Sequence, residues 1–583
     1  MIKRSDFLIF LTAFVVCLYL AFNLNFPGGK RSFPSEIYTD KAGYYVYLPA
    51  VFIYNFNARK FPYRLQQECG SFTLDTVKNK IITKYTYGVA LMMAPVFLPA
   101  HWMAKILHYE ADGFSLYYQK MLMIPAILYL ILGLFFLKKF LDHYYRRKVV
   151  YLTLMFLFLG TNLYFFSIDE GSLSHIYSFF LFSLFIFLLK RYFERGMHGF
   201  GHFIGICIAL SLAVLIRPTN ILLVLFFFLL DVRSMKDILK RVRHFLHPRF
   251  ILTFVVILFL CYLPQMIYWK YLTGDFLYYS YKGESFIFWN NPRLIQIWFS
   301  PLNGLFLHSP MVFLLIAGMV VLIFRKNPNG FFLLIFFLLI SYIFSSWWCW
   351  YYGGSFGSRP FVEFYAVLAL SLAAFIDYLF QQRNLFIRTS GLTLMVLFSW
   401  YNLHLSYHYM PYTGTTWGWE KFLTELEFAG LDTYRKSDNI LVWDFDNVIY
   451  GSEVPITLSE SHSPPFSFQY DRFTGPVVLF YGKMEDLLDH KLTEVKVKAM
   501  VKPAFWMKTG MLFVTEIIDA GQKTVFRKDI SIDRFMRDPG KFNEMDTVIF
   551  IPPDVGSWNA IRFSVQNPLR RKAYIDDVVL EFK

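Results

Sequence analysis

Charged residues are scarce in this sequence. Asp, Glu, Lys and Arg make up 17% of it, against about 25% in a soluble globular protein. That shortage, beside repeated apolar runs of near membrane-crossing length, excludes a soluble enzyme and a disordered chain. Cysteine is equally thin. Cys17, Cys69, Cys207, Cys261 and Cys349 stand far apart, with no CxxC pair and no zinc spacing. A disulfide-stapled secreted module is therefore excluded as well, and no metal or disulfide framework can be read.

Apolar and aromatic residues take the place of charge, at 56% and 21% of the 583 residues. The net charge of +15 is unevenly spread. Residues 1–440 carry 39 Lys and Arg against 22 Asp and Glu, whereas residues 441–583 carry 18 against 20. The basic residues fall in short clusters between apolar runs, which is how membrane topology is encoded. Nucleic acid is not the expected partner; a lipid bilayer is.

The first run, Phe7 to Leu24, follows Lys3-Arg4 without a small-residue cleavage site, so it reads as a retained helix with its start inside. Later clusters are Lys138-Lys139 with Arg146-Arg147-Lys148, Lys190-Arg191 with Arg195, Arg233 to Arg249, Arg325-Lys326, and Arg383 with Arg388. All of them face the cytoplasm only if Gly88–Leu107 is not a full crossing. Pro95, Pro99, His101 and Lys105 make a juxtamembrane or re-entrant helix there reasonable. The expected spans are 7–24, 116–140, 149–166, 173–190, 200–216, 218–231, 251–271, 305–324, 331–346, 360–379 and 386–403. That makes about eleven crossings of a cytoplasmic (inner) membrane, with the C-terminus outside. The turn at Arg217-Pro218 then lies near the outer surface, where a buried arginine needs an anionic partner.

With this topology the unusual residues gather on one side. The first outer loop, about 25–115, holds "SEIYTDKAGYYVYLPAVF" with Glu36 and Asp40, then "ITKYTYGVALMMAP" with Lys84. The next outer turn, "SIDEGSLSHIYSFF", carries Asp169, Glu170 and His175; Arg217, a long loop 272–304 and "SSWWCWYYGGSFGSRPF" with Arg359 come after it. The outside has no nucleotide pool, so an activated substrate must arrive within the membrane. A polyprenyl-phosphate-linked sugar supplies both the energy and the anion. Transfer from it needs a carboxylate to take the acceptor hydroxyl's proton and cations for the leaving phosphate.

These segments, in this order and sidedness, resemble the GT-C integral-membrane glycosyltransferases, the superfamily of protein O-mannosyltransferases and the lipid A aminoarabinose transferase. The resemblance covers about residues 1–400. It rests on Asp40 in "YTDKAGYYVYLPA", the "TKYTYGVALMMAP" helix, the acidic turn "SIDEGSLSHIYSFFLF" and "WWCWYYGGSFGSRPF". It implies that Asp40 is the catalytic base of an inverting transfer from a polyprenyl-phosphate sugar donor to a glycan, lipid or protein acceptor. Two departures stand out: the strong two-proline element after the lysine is missing, and His175 stands near where relatives carry an aspartate.

Lys84, Arg217 and Arg359 are the expected ligands of the donor phosphate. Asp169, Glu170, His175 and Glu36 form a possible acceptor, metal or second acidic site, with a divalent metal left open and no cofactor assigned. Capping of the following helix is the plainer role for Asp169 and Glu170. The polar, aromatic stretch "YSYKGESFIFWNNP" reads as a substrate loop through Tyr281, Glu284 and Trp289. An oligosaccharide ligase or polymerase and a lipid-linked glycan transporter are the alternatives. A transporter is disfavoured by the lack of an internal repeat and by ionisable residues gathered at one face.

The expected fold is mainly α-helical and polytopic, with the transferase domain at 1–403. A connector at 404–440 leads to an extracytoplasmic β-sandwich at 441–583. "LTEVKVKAMV", "GMLFVTEII" and "KAYIDDVVLEF" alternate as half-buried strands do. This last part resembles galactose-binding-like jelly rolls.

Overall fold

The computed structural model describes residues 4–25, 36–62, 64–281, 283–354 and 356–408. Beyond these it describes residues 419 and 422 and the strand segments between 440 and 582 with a few flanking residues. The chain forms two compact units, Met1–Gly414 and Thr415–Lys583.

The first unit is helical. It begins with α1 (Arg4–Asn25), then the short α2 (Asp40–Tyr45), α3 (Tyr47–Phe52) and α4 (Arg64–Cys69), an antiparallel hairpin of β1 (Phe72–Asp75) and β2 (Lys80–Thr83), and α5 (Gly88–Ile106). Next come α6 (Leu116–Met121), α7 (Met123–Leu141), α8 (Arg147–Gly160), α9 (Leu163–Ile168), α10 (Ser174–Glu194) and α11 (Phe200–Ile216). A 3-10 turn, Pro218–Leu223, leads into α12 (Val224–Leu229), α13 (Met235–Leu246) and α14 (Pro248–Thr273). The unit closes with α15 (Leu294–Phe299), α16 (Leu305–His308), α17 (Met311–Phe324), α18 (Asn329–Ser345), α19 (Tyr365–Gln381) and α20 (Leu385–His408). Most of the long helices are apolar around their whole circumference, which suits a lipid surround because a helix satisfies its own backbone polar groups. By length and composition, α1, α5, α6–α7, α10 and α14 are each sufficient to cross a bilayer, and α11, the 218–229 pair, α17, α18 and α19 are shorter apolar helices.

The unit has two chemically distinct ends. At one, Lys138 bridges Asp6 (3.0 Å) and Asp142 (2.7 Å), Arg147 reaches Asp6 (2.6 Å), Lys190 meets Asp231 (2.8 Å) and Arg325 meets Asp377 (2.8 Å). These are the basic clusters of the sequence, drawn together by alternating helix directions. The opposite end collects the turns that carry Asp40, Lys84, His175, Arg217 and Arg359.

α5 is a continuous helix with both prolines inside it. Phe97 inside it packs on Tyr45 and Phe52, and the segments before and after it reach α2, α3 and the turn that follows them. At its start the Tyr47 hydroxyl donates to the Tyr85 carbonyl (2.7 Å). Just past its end, the Tyr45 and Tyr54 hydroxyls donate to the carbonyls of Gly113 (2.6 Å) and Asp112 (2.9 Å). α5 thus lies along α2–α3 instead of running from one end of the bundle to the other.

The second unit contains two antiparallel sheets. One runs β10 (Asn543–Phe550), β7 (Glu494–Pro503), β12 (Ala573–Phe582), β5 (Ser467–Tyr470), β4 (Ile456–Thr457), with β3 (Ile440–Trp443) also on β12; the other runs β6 (Val477–Lys483), β11 (Ala560–Gln566), β8 (Leu512–Ile518), β9 (Thr524–Ser531). Val495, Val497, Ala499 and Val501 are buried at alternate positions of β7, and Ile561, Phe563 and Val565 are buried on β11. β7 thus buries one face, as in a sandwich, whereas β8 in the other sheet is buried on both faces from Phe513 to Ile518. The expected connector at 404–440 begins inside α20 and otherwise lies almost wholly outside the described residues.

Candidate active site

Asp40 is the first residue of α2, and the residue before it, Thr39, is held at φ 48°. A β-branched residue in the left-handed region is strained, and strain of this kind concentrates where a side chain must be aimed. The Thr39 backbone N–H donates to the Cys69 carbonyl at 2.8 Å, fixing the approach.

Three groups converge on Asp40. The Tyr85 hydroxyl donates to Oδ1 at 2.5 Å, and Arg359 Nη1 lies 3.0 Å from Oδ2. Lys84 stands close enough to act on the carboxylate electrostatically. Burial pushes the Asp40 carboxyl up, but Arg359, the Tyr85 hydrogen bond and Lys84 outweigh it and hold the group below the ordinary carboxylate value. Asp40 is therefore an ionised carboxylate at neutral pH, with a side chain 30% exposed.

Tyr85 reaches Asp40 because Gly43, on the next turn of α2, has no side chain. A Cβ there would overlap the Tyr85 ring. The Tyr85 segment is itself sewn to its neighbours: the Thr83 hydroxyl donates to the Gly43 carbonyl (2.9 Å), and the Tyr87 N–H to Gln265 of α14 (3.0 Å). Arg359 opens a 3-10 turn, Arg359–Phe361, whose Pro360 and Phe361 are buried and anchor it. Its Nε is also buried, with no hydrogen-bond acceptor among the described residues.

Arg217 caps the C-terminal end of α11, adjacent in space. Its Nη1 lies 3.1 Å from His175 Nδ1 and 3.6 Å from Glu363 Oε1, while His175 Nδ1 lies 2.8 Å from Glu363 Oε2. Both guanidinium groups act on Tyr44 and Tyr352, so the two arginines share one electrostatic neighbourhood. Lys84 pairs with Glu284 at 2.6 Å and lies over the rings of Tyr85 and Tyr281. Tyr281 in turn meets Tyr85 and Trp347 edge to face. Asp40, Lys84, Arg217, Arg359, Tyr281 and Glu284 thus come together. Trp289 does not: it packs on Tyr342 and Phe286 and is half exposed.

The second acidic group forms a separate knot. Lys41 Nζ lies 3.1 Å from Glu36 Oε1 and 3.1 Å from Glu170 Oε2, and Lys41 and Glu36 are almost wholly buried. Burial pushes the Glu36 carboxyl up to about 7, with Lys41 opposing and Glu170 adding to the rise. Asp169 is buried and accepts from the Ser406 hydroxyl at 3.3 Å. Neither Asp169 nor Glu170 caps α10, whose N-cap is Leu173 with no side-chain bond. These residues do not suit the divalent ion that the sequence left open. Glu36 and Glu170 share a lysine, and His175 has an arginine against its ring. Among the described residues no three metal-ligating side chains come together.

Sequence reasoning passed over Tyr85 and Glu363, and it placed Lys41 on the outer loop without a role. Tyr85 adjoins Lys84, and a reading of outer-loop neighbours would have reached it. Glu363 carries the clearer signal, a lone carboxylate in the apolar stretch "RPFVEFYAVLAL", where an unpaired charge is costly.

No family model and no curated protein matches the chain. Among solved structures, its C-terminal part is similar to the CBM22-1 xylan-binding domain of Paenibacillus barcinonensis Xyn10C, at 14% identity and TM-score 0.18, covering 25% of this chain and 96% of that one. The chain is similar at 12% identity to ArnT from Cupriavidus metallidurans bound to undecaprenyl phosphate, with TM-score 0.39, over 73% of this chain and 70% of that one. It is similar, also at 12% identity and with TM-score 0.41, to the archaeal oligosaccharyltransferase AglB from Archaeoglobus fulgidus in complex with an inhibitory peptide and a dolichol-phosphate. That match covers 70% of this chain, which spans only 56% of the archaeal enzyme.

Proposed function

We propose that this chain is a membrane glycosyltransferase that moves a sugar from a polyprenyl-phosphate carrier to an acceptor hydroxyl. It acts at the end of the bundle opposite the basic clusters, which the positive-inside rule makes the outer face of the cytoplasmic membrane. The observation that carries the reading is the Asp40–Arg359 pair, a carboxylate held ionised beside a guanidinium whose buried Nε still lacks an acceptor among the described residues. The reaction requires a base and a phosphate ligand within reach of one anomeric carbon, acting on its opposite faces.

In the proposed step the acceptor O–H gives its proton to the Asp40 carboxylate as its oxygen bonds to the anomeric carbon. The bond from that carbon to the phosphate oxygen breaks, and the electron pair leaves with the lipid phosphate. Arg359 and Arg217 stabilise the charge that develops there. One base and no covalent intermediate give inversion, by analogy with inverting glycosidases. Lys84, paired with Glu284 and lying over Tyr281, is the third cation for the phosphate.

The test is genetic and chemical together. Deleting the gene should remove one sugar from an envelope glycan, lipid or protein, read by mass spectrometry, and the wild-type gene but not Asp40→Asn should restore it. Unchanged glycoconjugates on deletion would overturn the reading.

A further inference from the structure

The end of the bundle opposite Asp40 carries the densest basic run, Arg233, Lys236, Lys240, Arg241, Arg243 and Arg249, on α13 and its flanks. The inward face of α13 is fixed to the bundle. Arg241 is buried, donates to the carbonyls of Phe227 (3.3 Å) and Phe228 (3.1 Å), and stacks on the Phe193 ring. Phe245 packs edge to face on Phe227 and Phe228, and the Tyr192 hydroxyl is 2.6 Å from His244 Nε2.

Among the described residues the outward face has no such partners. Lys236, Lys240 and Arg243 are exposed at helical spacing, and beside them run Met235, Leu239 and Leu246, which are 68%, 49% and 59% exposed. Asp237 is the acid on this helix, and its carboxylate is taken by the backbone N–H groups of Arg233 and Ser234 at the N-cap. Glu194, the acid at the adjoining end of α10, is held by His143 at 2.8 Å. The exposed surface is thus cationic and apolar at once.

Its depth is set by the next helix. His247 ends α13 and Pro248 opens α14 with no linker between. α14 exposes Leu252, Val255 and Leu260 along its side, so the apolar stripe of α13 continues into the lipid-facing surface of a span. A helix of this length covers about 18 Å, and here it must lie where hydrocarbon gives way to head groups. An apolar edge beside a cationic edge at that level matches an anionic lipid surface.

We propose that the outward face of α13 binds anionic phospholipid head groups of the leaflet opposite the Asp40 cluster. Lys236, Lys240 and Arg243 contact the phosphates, while Met235, Leu239 and Leu246 enter the acyl boundary. The assignment is independent of the transfer reaction.

The test uses the full chain in nanodiscs of equal parts phosphatidylglycerol and phosphatidylcholine, with retained lipid counted by native mass spectrometry. Wild type should retain phosphatidylglycerol preferentially. K236Q/K240Q/R243Q should lower that preference about tenfold or more, K236R/K240R should keep it, and R146Q/K148Q at another basic cluster should change it far less. Thermal unfolding checks that each variant is folded; if the triple variant is not, K236Q/K240Q reads the same quantity with a smaller drop. An unchanged preference, or an equal drop in the R146Q/K148Q control, would overturn the proposal. So would loss of self-association with lipid retention unchanged, which would assign this face to a second copy of the chain.

Discussion

Arg359 Nη1 lies 3.0 Å from Asp40 Oδ2, a pairing of the first helix after α1 with the turn that opens α19. The pair sets the ionisation of the carboxylate and the position of the guanidinium at once, so altering either residue changes the other.

Asp40→Asn keeps the side chain's size but removes the group proposed to take the proton. Turnover should fall at least about 100-fold, with binding of the lipid-linked donor retained because Arg359 loses its internal anion. Near-normal turnover in membranes matched for protein would remove Asp40 from the mechanism.

Asp40 also makes a pH prediction. Burial raises its carboxyl, and Arg359, Tyr85 and Lys84 more than reverse that, so the group loses its charge only below the usual carboxylate pKa of about 4. Activity should hold as pH drops through that value and fail beneath it. Arg359→Gln removes the largest lowering influence, so the acid limb of its rate profile should move to higher pH. An unmoved limb would mean that Asp40 is not the titrating base.

The two arginines are proposed as forked phosphate donors, a geometry that lysine does not reproduce. Arg359→Lys and Arg217→Lys should each weaken donor binding or turnover by about 1.5–3 kcal/mol. Isothermal titration with polyprenyl phosphate, alongside turnover, separates the two effects. Wild-type values in both variants would make these arginines structural.

Gly43→Ala puts a methyl group where the Tyr85 ring now lies. The ring must move and its hydroxyl leaves Asp40. Turnover should drop to the level of Tyr85→Phe, about tenfold or more below wild type for a hydrogen bond to a charged group. If Gly43→Ala lowers turnover but Tyr85→Phe does not, the glycine serves packing alone.

Glu36 predicts a stability effect. Burial first, and then Glu170 against the opposition of Lys41, pushes its carboxyl up to about 7 in the folded chain. The unfolded value is about 4.3. A raised acid stabilises the fold below the unfolded value, and that stability is lost as pH rises through the folded one. The melting temperature of wild type should therefore decline between about pH 5 and 7.5, and Glu36→Gln should flatten that decline. Parallel profiles for the two proteins would place the titration elsewhere.

Some of this was legible from sequence alone. Runs such as Met123–Leu141 and Pro248–Thr273 are helical because each apolar residue adds its own preference for lipid, and that sum depends only on neighbours in the chain. The same holds for the alternation on β7 and for the gathering of Lys138, Lys190 and Arg325 at one end, since basic residues resist crossing one by one. Asp40, Lys84, Arg217 and Arg359 stood out as charges at apolar borders.

What sequence could not assign was who pairs with whom. Lys41 stands next to Asp40 yet turns to Glu36 and Glu170, and Arg217 goes to His175 and Glu363 instead of to Asp169 or Glu170. Trp289 shares a loop with Tyr281 and Glu284 but packs away from Lys84. Each pairing is decided by helix crossings and by close approaches such as Gly43 against Tyr85, which join residues far apart in the chain. Burial and alternation are local and additive. An ion pair depends on two distant segments arriving at one point, and only the tertiary packing of the whole unit determines that.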